Sequence, residues 1–134
     1  MAKKILLVDD DRDLDESLGQ ALKANGYKVA TALSGVTGLK TLLVEKPDLV
    51  ILDVMMETDT AGFEAAAQIR SNRETSRYRE FRNIPIILLT AIDQVTNNRF
   101  SLDQSESFLP NIDVFLTKPV DIDDLLAKIE AALN

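Results

Sequence analysis

The chain of 134 residues has no cysteine, so neither a disulfide framework nor a thiolate metal site can hold it together. It has no apolar run near the roughly 20 residues that a helix needs to cross a bilayer. No export is expected either, because after Met1, Ala2, Lys3 and Lys4 only residues 5–8 are apolar before acids begin. Basic charge is scarce: 15 bases stand against 22 acids, a net charge of -7. That balance opposes non-specific attraction to nucleic acid or to an anionic membrane surface. Together these absences predict a cytoplasmic protein with no membrane insertion and no direct hold on nucleic acid. Neither repeats nor a linker divide the chain. With 46% hydrophobic residues it is large enough for one buried core and too small for two ordinary domains, so a single domain is expected over 1–134.

What is present is an alternation. Residues 5–8, 49–52, 86–89 and 114–116 are short, nearly continuous apolar runs, as in strands covered on both faces. Residues 27–33 read as a weaker fifth strand. Leu14, Leu18, Ala21 and Leu22 share one helical face that stops at Asn25 and Gly26, with Asp13 and Glu16 as a capping pair. Val36, Leu39, Leu42 and Leu43 mark a second helix ending near Pro47, and Phe63, Ala66 and Ile69 a third beginning near Gly62. The polar, arginine-rich stretch 72–83 reads as a solvated extension of that third helix, carrying Arg73, Arg77, Arg79 and Arg82 beyond Arg70. Residues 93–113 have poor periodicity and predict a short, irregular helix. Pro119 precedes the last helix, which Asp121 can cap and in which Ile122, Leu125, Leu126, Ile129 and Leu133 share a face. Five strands alternating with five helices predict an α/β, doubly wound (βα)5 fold with a five-stranded parallel sheet. In such sheets ligands bind beyond the carboxyl ends of the strands.

Those ends carry Asp9, Asp10 and Asp11 after the first strand, Asp53 after the third, Thr90 after the fourth and Lys118 after the fifth. Packed carboxylates repel one another unless a cation neutralises them, and hard oxygen ligands favour Mg2+. A central aspartate could then attack a phosphoryl group, the metal offsetting negative charge on both partners; Asp53 fits that role. Lys118 offers a compact positive charge to one phosphoryl oxygen, and the Thr90 hydroxyl a hydrogen bond to another. Blander readings compete at some of these positions. Asp11 serves equally well as a helix cap; Phe115, in the last apolar run, reads as a core aromatic; and Glu57 and Asp59, in the polar loop after Asp53, are either metal or partner contacts or simply loop acids facing water.

The segments ILLVDDD at 5–11, LVILDVMM at 49–56, ILLTA at 87–91 and FLTKP at 115–119 together resemble the receiver domains of two-component response regulators over nearly the whole chain. The resemblance implies a flavodoxin-like strand order, 2-1-3-4-5. It further implies that Asp53 accepts a phosphoryl group from a histidine kinase or phosphotransfer protein. Asp9, Asp10, Asp53 and the Met55 carbonyl would hold Mg2+, while Thr90 and Lys118 would sense the phosphate. Phe115 would be a switch aromatic acting with Thr90, and the bond before Pro119 would be cis. Met55 and Ile92, both apolar, would control water access and give slow self-dephosphorylation. The implied product is a signalling switch rather than an enzyme. It would change affinity for an unidentified output protein, with a homodimer as one candidate form of that output.

The sequence departs from the family pattern in two respects. Glu57 stands where proline is usual, with Gly62 one residue late, and the separations from Asp53 to Thr90 and from Thr90 to Lys118 are each several residues longer than is usual in the family. Extra sequence is therefore expected at 72–83 and 93–113. These departures motivate the alternative of a degenerate receiver serving as a constitutive protein-binding module. An aspartyl-phosphate phosphatase of the haloacid dehalogenase kind fits less well, since Met55 occupies the place of its second aspartate. A flavodoxin fits least, because the acids at 9–13 would repel its phosphate.

Overall fold

The computed structural model of the chain describes residues 2–91 and 112–134. In chain order it contains β1 (Lys4–Val8), α1 (Arg12–Ala24), β2 (Lys28–Ala32), α2 (Gly35–Glu45), β3 (Leu49–Asp53), α3 (Ala61–Ile69), β4 (Ile86–Ala91), β5 (Val114–Lys118) and α4 (Ile122–Leu133). All neighbouring strands run parallel in one sheet of order β2-β1-β3-β4-β5. This is the α/β topology expected. The irregular helix expected at 93–113 falls largely outside the described residues, as does Ile92.

Side-chain parity builds the two cores. Successive residues of a strand point to opposite faces. On one face Leu6, Val8, Val50, Leu52, Ile86 and Leu88 meet α2 and α3 through Leu39, Leu42, Ala66 and Ile69. On the other, Ile5, Leu7, Leu49, Ile51, Ile87 and Leu89 meet Leu18 and Leu22 of α1 and Leu125 and Ile129 of α4. Strands buried on both faces must be apolar at every position, which is why the sequence shows runs instead of alternation. Gly38 brings α2 unusually close to β1: a Cβ there would lie 2.9 Å from both methyl groups of Val8.

The starts of α1, α2 and α4 are fixed by side-chain oxygens that satisfy free amides, whereas Thr60 before α3 makes no such bond. Asp121 caps α4 by accepting from Asp123 and Asp124. Ser34 and Thr37 form a reciprocal capping box on α2. For α1 the cap is Asp11, which accepts from Asp13 N at 3.0 Å and Leu14 N at 3.2 Å. The pairing of Asp13 with Glu16 is therefore corrected: among neighbouring acids, the one with extended backbone just outside the helix takes the cap.

The stretch 72–83 also differs from expectation. Helix α3 stops at Ile69, and the chain returns through a 3-10 turn at Arg79–Phe81 that buries Phe81. No apolar stripe continues past Ile69 to keep a helix packed, whereas three guanidinium groups, those of Arg70, Arg79 and Arg82, supply donors to loop carbonyls. Arg82 Nε donates to Ser71 O at 2.8 Å. Arg70 donates to Arg82 O at 2.8 Å and pairs with Asp113 Oδ2 at 3.0 Å. The same Asp113 oxygen accepts from Ile86 N, tying the loop to the entrance of β4. Arg73, Arg77 and Arg79 remain exposed.

Candidate functional site

The site lies at the carboxyl edge of the sheet, where β1 and β3 adjoin and the chain leaves in different directions. Parallel register places Val8 beside Leu52, so Asp9 and Asp53 leave the sheet at the same level. Asp53 in turn pairs with Leu89, one residue before Thr90, and Ala91 pairs with Lys118. A cleft of about 350 Å³ opens there, lined by Asp10, Asp11, Asp53, Met55, Met56, Ala91 and Lys118.

Asp9, Asp10 and Asp53 present carboxylate oxygens that all lie within 4.8 Å of one another. Asp9 and Asp53 are buried and Asp10 is exposed. The Lys118 ammonium stands 3.0 Å from Asp9 Oδ2 and 3.3 Å from Asp53 Oδ1. Burial alone would lower the Lys118 pKa, but its two carboxylate partners outweigh that and raise it, so it is charged at neutral pH. Burial, reinforced by Asp9, pushes Asp53 up to about 6 despite Lys118. One ammonium among three carboxylates leaves excess negative charge on hard oxygens, a donor set suited to a hard divalent cation.

The other predicted residues take distinct places. Met55 is 43% exposed at the mouth of the cleft. Thr90 is buried, and its hydroxyl donates to the Ala91 carbonyl at 3.4 Å; it is not among the cleft-lining residues. Phe115 is 43% exposed on β5, and its ring centroid is 6.5 Å from that of Phe63 on α3. The Lys118–Pro119 peptide bond is cis.

The segment 54–60 between Asp53 and α3 is held closely at its base. Gly62 N donates to Val54 O at 2.8 Å, and a Cβ on Gly62 would lie 2.8 Å from Val54 Cα and 2.9 Å from the Asp53 carbonyl carbon. Only glycine allows that approach. Glu57 is exposed, as expected of a loop acid, yet its carboxylate also accepts from Gly35 N at 2.7 Å through Oε1 and from Val36 N at 3.0 Å through Oε2, which the sequence did not suggest. What little burial it has pushes its carboxyl up, but these amides outweigh it and hold the pKa below the ordinary value. Asp59 is exposed.

Asp15 is a residue that sequence reasoning passed over. It is 5% exposed on the inner face of α1, and among the described residues neither carboxylate oxygen has a hydrogen-bond partner. Burial, then the charges of Asp9 and Asp11, push its pKa up to about 7. The signal was available: Asp15 shares the helical spacing of Leu18, Gly19 and Leu22, an acid within a buried stripe.

The profile of the response regulator receiver domain matches residues 5–130. The response regulator MprA of Mycobacterium ulcerans (strain Agy99) is 38% identical over 134 residues, all of this chain and 51% of that protein. The chain thus spans about half the length of the curated relatives it matches. Among solved structures, the chemotaxis response regulator CheY4 of Vibrio cholerae is similar with a TM-score of 0.78 and 25% identity, over 99% of this chain and 100% of that one. The signal receiver domain of a signal transduction histidine kinase from Syntrophus aciditrophicus gives 0.80 and 27%, over 98% and 90%.

Proposed function

Since the chain belongs to the response regulator receiver family, a signalling family of two-component systems, we propose that it is a phosphorylation-dependent switch with Asp53 as phosphoacceptor. The observation that supports this best is the convergence of Asp9, Asp10 and Asp53 around one cleft with Lys118 bridging two of them. In the proposed step an Asp53 carboxylate oxygen forms a bond to phosphorus as the bond from phosphorus to the donor breaks, and the leaving group departs with the bonding pair. With a pKa of about 6, Asp53 is ionised at neutral pH and able to attack. Mg2+ held by Asp9, Asp10, Asp53 and the Met55 carbonyl would offset negative charge on the nucleophile and phosphoryl oxygens.

Lys118 would move its ammonium from Asp53 to pair with a phosphoryl oxygen, and Thr90 would reorient its hydroxyl from Ala91 to another. Phe115 would follow Thr90 as the switch aromatic, away from Phe63. The donor is a histidine kinase or phosphotransfer protein, and the output is a changed affinity for a partner protein, which includes a second copy as a candidate. The role is regulatory, not that of an enzyme with turnover on a separate substrate, and it acts in the cytoplasm. Among the described residues no helix is long and apolar enough to cross a membrane.

Intact mass after incubation with Mg2+ and acetyl phosphate tests this reading. One phosphoryl adduct is expected on the wild type and none on Asp53→Asn or without metal. Absence of an adduct together with absence of Mg2+ binding would favour the degenerate, constitutive binding module.

A further inference from the structure

We propose that Glu57 is a positioning residue for the metal half of the site, strapping the segment that carries Met55 to α2 and thereby setting it against Asp10 and Asp53. The inference rests on the receiver reading and extends it to a residue that would not touch the metal.

The hydrogen bonds of the segment show where it is held. Its base is fixed by Val54 N donating to Leu89 O and by Gly62 N donating to Val54 O. Beyond that, Met56 N donates to Thr58 O within the segment, and the Thr58 and Thr60 hydroxyls reach Glu64 on α3 at 3.3 and 3.4 Å. Among the described residues, the hydrogen bonds from 55–60 to anything other than the segment itself and α3 are those of the Glu57 carboxylate. They are short, at 2.7 and 3.0 Å. They join an anion to two free amides at the positive end of a helix, the charge-assisted arrangement that holds best.

The other end of the strap is fixed as well. The Ser34 and Thr37 capping box orders the first turn of α2. Gly38, one turn along, lies against Val8 of β1, and Asp9 and Asp10 follow Val8 directly. A closed circuit results: β1 carries the acid pair, α2 rests on β1, Glu57 rests on α2, and the chain returns through Met55 to Asp53. Both Glu57 oxygens are already engaged by α2, which makes the residue a poor direct ligand and a good brace. Met55 sits between two held neighbours, Asp53 and Glu57, so its place in the cleft follows from theirs.

Calorimetric Mg2+ titration of the whole chain, alongside phosphorylation by acetyl phosphate at varied Mg2+, tests the proposal in wild type, Glu57→Ala, Glu57→Gln and Ser34→Ala. Loss of a supporting residue around a metal costs about tenfold or more in affinity. Glu57→Ala is therefore expected to weaken Mg2+ binding by about that factor, with the rate at saturating Mg2+ close to wild type. Glu57→Gln, which keeps one acceptor oxygen, should fall between. Ser34→Ala removes an α2 cap while leaving the Glu57 carboxylate and the Gly35 and Val36 amides in place, so it should lower Tm and cost clearly less Mg2+ affinity than Glu57→Ala. Wild-type affinity in both Glu57 variants overturns the inference, as does a Ser34→Ala loss equal to that of Glu57→Ala, which would reduce the effect to the integrity of α2. If the wild type itself binds no Mg2+, the receiver reading falls and takes the inference with it.

Discussion

Replacing Asp15 by asparagine should stabilise the metal-free protein at alkaline pH relative to acidic pH. The carboxyl pKa rises from 3.8 to about 7 in the fold, burial contributing most and Asp9 and Asp11 next. A raised carboxyl means that the folded state keeps a proton which the unfolded chain gives up. Stability is thus fully present below the unfolded value, falls as pH rises from about 4, and levels off above about 7. Each pKa unit corresponds to about 1.4 kcal/mol. The penalty is then about 2 kcal/mol near pH 5.5 and about 4 kcal/mol near pH 8.5.

The Asp15→Asn variant would keep the shape of the side chain without its charge. The buried, unpartnered amide costs about 1 to 3 kcal/mol, but at both pH values alike, so the term cancels from the comparison. The difference between variant and wild type should shift by about 2 kcal/mol in favour of the variant between the two conditions. With about 2.1 cal/mol/K of unfolding entropy per residue, that is about 7 °C in Tm. Thermal melts of both proteins in a chelator, at about pH 5.5 and pH 8.5, measure it. An offset between the two proteins that is the same at both pH values refutes the argument.

Two further outcomes follow from the segment after Asp53. Gly62→Ala places a methyl group against the Val54 and Asp53 backbone, which cannot rotate aside as a side chain could; a loss of about 1 to 3 kcal/mol is expected, with slower phosphorylation, and a denaturant melt superimposable on wild type would count against the close approach. Met55→Asn puts a polar group at the mouth of the cleft and should admit water to the phosphoaspartate, shortening its lifetime as followed by intact mass; an unchanged or longer lifetime would remove Met55 from that role.

Much of this architecture is legible in the sequence because burial on both faces writes itself as uninterrupted apolar runs, and each run ends where chemistry begins. Asp9, Asp10, Asp53 and Lys118 could be located by that rule alone, before any distance was known. Glu57 could not. Its partners, Gly35 and Val36, lie on another helix, and nothing local distinguishes an acid that caps a distant helix from one that faces water. Asp11 and Asp13 show a different difficulty: several acids compete for one cap, and the backbone angle that decides among them is absent from composition. The loop after Ile69 is hard to read because arginines that tie down carbonyls look, in sequence, like arginines in solvent. Asp15 is readable but easily passed over, since an acid at apolar spacing attracts notice only when the stripe is already known to be buried.

The contact between Gly62 and the Asp53 backbone also limits how this protein can be re-engineered. It joins main chain to main chain, so it offers no side chain to exchange and no graded setting between present and broken. Any tuning of the loop therefore has to be done at its apex, between Met55 and Thr60, while both feet stay where they are. If the proposed phosphoacceptor role holds, a designer seeking another metal preference or another phosphate lifetime has about half a dozen positions to vary, and among them Glu57 is the one whose proposed hold on α2 could be loosened by degrees.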